Sequence, residues 1–121
     1  MAIRVIKNRQ GWLDKNWSQL KELERKNSGY IQVHRRQRDT FDIVIYGKGK
    51  FKNYKLHLRC HWPKPSIPPK FVLINRDEVE RTNHPHLTAL YGCLKIPWTP
   101  NTPLTFIIDA IKNVWWHPAT H

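Results

Sequence analysis

The chain has 121 residues, 40% of them hydrophobic and six of them tryptophan, which supports one domain spanning residues 1–121 around one modest core. Its 21 Lys and Arg oppose 9 Asp and Glu, a formal charge of +12 that fits an acidic partner surface, a nucleic acid or plain solubility without choosing among them. Arg4, Lys7 and Arg9 break up the apolar residues of the first dozen, which excludes a signal peptide or membrane span there, and two cysteines cannot build the disulfide framework of a small secreted domain, so a cytoplasmic protein with free thiols is expected.

Leu13, Trp17, Leu20 and Leu23 recur at helical intervals and predict an amphipathic helix from about Gly11 to Lys26, stopped by Asn27, Ser28 and Gly29. From Tyr30 the period falls to two. Ile31 and Val33, then Phe41, Ile43 and Ile45, then Tyr54, Leu56, Leu58 and Cys60 predict three strands with one buried face each. The links Arg36 to Asp39 and Gly47 to Asn53 are short and polar, as antiparallel hairpin connections are. The basic runs on and beside them, Arg35, Arg36, Arg38 and Lys48, Lys50, Lys52, Lys55, read first as solvated hairpin ends and second as a surface for an acidic partner or phosphates.

Pro63, Pro65, Pro68 and Pro69 remove amide donors and fix the backbone extended, so the segment from His61 to Pro69 is a structured turn. Phe71 to Ile74 predicts a fourth strand. Asn75 to Pro97 shows no sustained period, and a stretch of that length in a small domain is expected to carry function. Thr102 has the chemistry of an N-cap and Pro103 suits the first helical position; Leu104, Ile107, Ile108, Ile111 and Trp115 then form a helical stripe. No internal repeat or low-complexity segment is present.

The candidate chemistry lies in the irregular stretch, where His84, Pro85 and His86 precede the lone thiol of Cys93. Cys60 continues the inward alternation of Leu56 and Leu58 and is expected to be core. Cys60, His61, His84, His86 and Cys93 are zinc-ligand types, but their separations match no usual zinc pattern, and no metal or other cofactor is expected. The six tryptophans are read as core by default, with Trp115 and Trp116 as an alternative docking surface.

Taken together, the segment from Tyr54 to Pro63, the Pro68, Pro69, Lys70, Phe71 run, the His84, Pro85, His86 triplet, Cys93 with Leu94, and Trp98, Thr99, Pro100 before Leu104 resemble, in order, the motifs of the ubiquitin-conjugating (E2) family. The likeness covers roughly Leu13 to Trp115. It implies an α+β, UBC-like fold: N-terminal helix, four-stranded antiparallel meander, active-site loop and C-terminal helix, truncated relative to eukaryotic E2 proteins. His86 stands where the family has Asn, the interval to Cys93 is about one residue short, and Lys95 stands where an acidic residue often follows. These departures argue against a eukaryotic ubiquitin E2; the family resemblance, rather than the spacing, implies the compact E2-like proteins of bacterial CBASS anti-phage operons.

The resemblance implies that Cys93 is the nucleophile and thioester carrier, that His86 donates to the oxyanion or removes a proton, and that His84 and Pro85 shape the loop. His86, His117 and His121 are the candidate bases for the acceptor amine, His86 first. The implied partner is the C-terminus of a CD-NTase or ubiquitin-like protein, with an E1-like activator as a further candidate; no membrane is expected. Two other classes stand beside the enzyme: a non-catalytic E2-variant-like binding module, and a basic nucleic-acid-binding protein, which no sequence motif supports.

Overall fold

The computed structural model describes the backbone of residues 2–64, 67, 69–85, 87–93 and 104–116, and side chains over those ranges apart from 2–10, 89, 92 and 93. Helix α1 (Ala2–Lys26) leads into strands β1 (Ile31–Gln37), β2 (Thr40–Tyr46), β3 (Lys55–His61) and β4 (Lys70–Leu73), then helices α2 (Arg76–Arg81), α3 (Leu87–Cys93) and α4 (Leu104–Trp116). The architecture is α+β, with an N-terminal helix, a four-strand antiparallel sheet in the order β1-β2-β3-β4, and a C-terminal helix. No helix among the described residues is long and apolar enough to cross a membrane.

α1 starts at Ala2 rather than near Gly11. No proline precedes the amphipathic stripe, and a single exposed glycine costs a helix only about 1 kcal/mol relative to alanine, too little to interrupt it. Its end is built as the sequence suggests: the Asn27 side chain and backbone both donate to the Leu23 carbonyl, at 2.9 and 3.1 Å, and Gly29 turns the chain at φ +86°. Glu24 then reaches across to accept the Val33 amide at 2.8 Å, covering a donor on the edge strand β1.

The strands follow the period-two pattern because their alternate residues meet one core. Ile31, Ile45 and Leu56 lie in one cross-strand row, and Val33, Ile43, Leu58 and Leu73 in the next. Phe41, Cys60 and Phe71 continue that face. Leu13 and Leu20 of α1 and Ile107, Ile108, Ile111 and Trp115 of α4 close over it, all buried. The proline-marked turn is held by Trp62, whose backbone amide donates to the Asp39 carbonyl at 2.9 Å, whose indole N–H donates to the Ile67 carbonyl at 2.8 Å, and whose ring meets Trp12 edge-on at 4.2 Å.

The stretch read as irregular contains two short helices. At six and seven residues they span less than two turns each, too short for a hydrophobic period to register. α2 begins where β4 runs out, and side chains take over the strand pairing there. Asn75 accepts the His57 amide at 2.9 Å and donates to the Lys55 carbonyl at 2.8 Å, while Glu78 accepts the Lys55 amide at 3.0 Å. Trp98 to Pro100, Thr102 and Pro103, and His117 and His121 lie outside the described residues.

α1 and α4 are joined by one buried amide. Asn16 donates to the Trp12 carbonyl at 2.9 Å and accepts the amide of Leu104, the first residue of α4, at 3.2 Å. That amide is one of the donors every helix N-terminus leaves without an internal partner. Asn16→Ala should therefore lower stability by about 1–3 kcal/mol, the cost of a buried donor left unpaired, read as a drop in urea midpoint with an unchanged m-value.

Candidate active site

His84 follows α2 across a tight turn in which Asn83 adopts φ +51° and the His84 amide donates to the Thr82 hydroxyl at 3.2 Å. Its imidazole is buried, 3% exposed, and lies against Phe51 at 4.9 Å and Trp115 at 5.2 Å. Nε2 sits 3.2 Å from the Trp115 carbonyl, which can only accept, so Nε2 carries the proton and donates. That carbonyl belongs to the last turn of α4, whose acceptors have no partner within the helix. His84 thus caps α4 from a segment 31 residues away in sequence.

α3 presents Cys93 as its final residue. The helix is fixed on two sides: Leu90 is fully buried, and the Tyr91 hydroxyl donates to Glu80 of α2 at 3.3 Å beneath the Arg76 guanidinium, which stacks on the Tyr91 ring at 4.8 Å. Arg76 also pairs with Glu80 at 2.9 Å and holds its carboxyl below the ordinary carboxylate value. Sequence reasoning did not anticipate this trio, because its members become neighbours only once two unrecognised helices pack. The C-terminal end of a helix carries partial negative charge, so a thiolate at the Cys93 position gains nothing from α3 and needs a donor from elsewhere. The Cys93 side chain and the whole of His86 lie outside the described residues.

Cys60 stands in contrast, fully buried in β3, where loss of contact with water pushes its thiol well above the ordinary value. His61, the next residue, is exposed on the opposite face, 3.5 Å from Asp39. Among the described residues no three of His, Cys, Asp and Glu converge as metal ligands would.

A second polar constellation lies on the sheet face turned away from the core. Asp42 is 7% exposed and accepts from Arg59 Nε at 2.9 Å and Nη2 at 3.3 Å, with His57 Nε2 at 3.3 Å and Arg36 at 3.5 Å. Burial pushes its carboxyl pKa up, but the hydrogen bonds and charges of Arg59 and His57 outweigh that and hold it below the ordinary value.

Models of known protein families, characterised proteins and solved structures were compared with the chain, and none of the three comparisons gave a significant match.

Two outcomes follow from these contacts. His84→Ala removes a buried ring and leaves the Trp115 carbonyl without its donor, and should cost roughly 2–4 kcal/mol in chemical denaturation. For Asp42 the folded carboxyl binds its proton less tightly than the unfolded one, whose value is about 3.9. Its stabilisation is therefore present above that value and is lost as pH falls through the lower folded value. Asp42→Asn should be less stable than the parent by about 1 kcal/mol at neutral pH, with thermal melts of the two converging as pH falls below the ordinary carboxylate range.

Proposed function

We propose that the protein is a prokaryotic E2-like conjugating enzyme with a UBC-like fold, in which Cys93 carries the C-terminus of a partner protein as a thioester and passes it to an amine. The observation that carries this reading is the layout: helix, antiparallel meander with a proline-marked turn before its fourth strand, then a segment leading to a thiol at the end of α3, followed by a helix that returns to the sheet. The capping of α4 by His84 supports it further, because it ties the His84 and Pro85 segment to the core and gives the residues that follow a fixed starting point.

In the proposed cycle the Cys93 thiolate attacks an activated acyl group, forming an acyl–sulfur bond as the activator's leaving group departs. Amine attack then forms the amide, expels the Cys93 thiolate, and releases a proton to a base. The tetrahedral intermediate needs a hydrogen-bond donor at its oxyanion, and His86 supplies either that donor or the base. The implied partners are a CD-NTase or ubiquitin-like C-terminus and an E1-like activator, in a cytoplasmic anti-phage system. The competing reading is a non-catalytic binding module of the same fold.

Co-expression with such partners, followed by denaturing gels with and without thiol, separates the two. The parent should form an adduct cleaved by thiol, Cys93→Ser an adduct that resists thiol, and Cys93→Ala none; a parent without an adduct is the module. Loss of one oxyanion donor is worth roughly 3–4 kcal/mol, so His86→Ala should slow transfer by about 10²–10³-fold while retaining the parent's melting temperature. If His86→Asn loads and discharges like the parent between about pH 6 and 9, His86 is not the base.

A further inference from the structure

One face of the sheet packs under α1 and α4; the other is open and carries most of the sheet's charge. Strand register sets His34, Asp42, Arg59 and Val72 in one row across all four strands. Tyr46 pairs with Lys55 towards one end of this face, and His61 with Lys70 towards the other. Arg36, at the β1 edge, reaches the same face through Asp42. Asp42 is the one carboxylate in these rows, and it is buried beneath its cations. At the rim Glu24 is taken by Lys21 at 2.7 Å, Asp39 lies against His61, and Glu78, beside Tyr46 and Lys55, accepts the Lys55 amide at 3.0 Å. The face therefore presents positive charge and planar rings over an area about 14 Å wide and 20 Å long, from strand spacings of about 4.8 Å and a rise of about 3.3 Å per residue.

We infer that this open face binds single-stranded nucleic acid, with phosphates on Arg36, Lys55, Arg59 and Lys70 and bases against the rings of His34, Tyr46 and His61. A protein partner is the less suitable occupant. Protein interfaces have a core depleted of charge, whereas the centre of this face is the Asp42, His57, Arg59 cluster, and the exposed aliphatic residues Val72 and Ile74 sit at the β4 edge. Interfaces with nucleic acid are polar and positive throughout, and a four-stranded sheet can stack two or three unpaired bases on its rings. The chain's charge of +12 adds the long-range attraction that brings a polyanion to the face. Nothing in this inference involves Cys93, so it stands apart from the conjugation reading.

Fluorescence anisotropy of the full chain with labelled oligouridylate and oligodeoxyuridylate of about 12 nucleotides tests it, at about 50 and 200 mM salt. The parent should bind and weaken steeply with salt. Lys55→Gln with Lys70→Gln should weaken binding about tenfold or more and flatten the salt slope by about 1.4, or 0.7 for each phosphate no longer neutralised. Lys15→Gln with Lys26→Gln removes the same charge from exposed positions on α1 and should change affinity less than about threefold. Tyr46→Leu should weaken binding about tenfold because a base can no longer stack there. Equal losses in the two charge-matched pairs, no binding at low salt, or tighter binding to polyglutamate than to either oligonucleotide would overturn the inference, the last pointing to an acidic protein. Tighter binding of one oligonucleotide than the other identifies the sugar.

Discussion

Both ends of α4 are closed by side chains that belong to other parts of the chain. Asn16 of α1 accepts the first amide, and His84, from the turn after α2, donates to a carbonyl of the last turn. Between these caps the apolar stripe lies on the sheet. Trp115 anchors the arrangement, stacked on Phe51 at 5.6 Å and on His84. Its indole N–H is buried without an acceptor among the described residues, a cost of about 1–3 kcal/mol. Burying a tryptophan ring removes about 150–250 Å² from water, worth roughly 4–6 kcal/mol as an upper estimate, so packing outweighs the unpaired donor.

These contacts divide the molecule's polar groups into two kinds. His84 and Asn16 are inside and spent on backbone groups, where a charge change would cost structure. Arg36, His57 and Arg59 are outside, gathered around a carboxylate whose burial is offset by theirs. Holding three cationic or protonatable groups against one carboxylate gathers their heads around it while leaving spare hydrogen-bond donors for a ligand. Sequence position alone does not separate His84 from His57; the element each packs against does.

The strands were legible because each buries one face: Leu56, Leu58 and Cys60 alternate with polar neighbours, and Phe41, Ile43 and Ile45 recur at the same period although Val44 lies between the last two. Leu104 to Trp115 was legible for the matching reason at helical period. α2 and α3 were not, since short helices tied down by Asn75, Glu78 and Tyr91 take their order from contacts with other elements rather than from a local pattern. The beginning of α1 was hidden because charged residues mask a helix that Gly11 does not stop. The charged sheet face had no motif to find: residues 34, 36, 42, 59 and 70 come from four strands, and only the register brings them together. Of the proposed site, His84 was legible as a loop-associated imidazole, while its acceptor at Trp115 left no local signal.

The turn between β2 and β3 has a further bearing on the molecule. A Cβ at Gly47 would fall 2.1 Å from the Phe51 carbonyl oxygen, and Phe51 in turn packs its ring on His84 and Trp115. Most hairpin tips drift freely in size and composition as lineages diverge. This one is wedged into the interior, so an inserted residue there would be felt by His84 and Trp115, on which Phe51 packs. Divergence among relatives of this chain is thus expected to spare that hairpin tip and to accumulate in the Arg38 and Asp39 turn at the other end of the sheet.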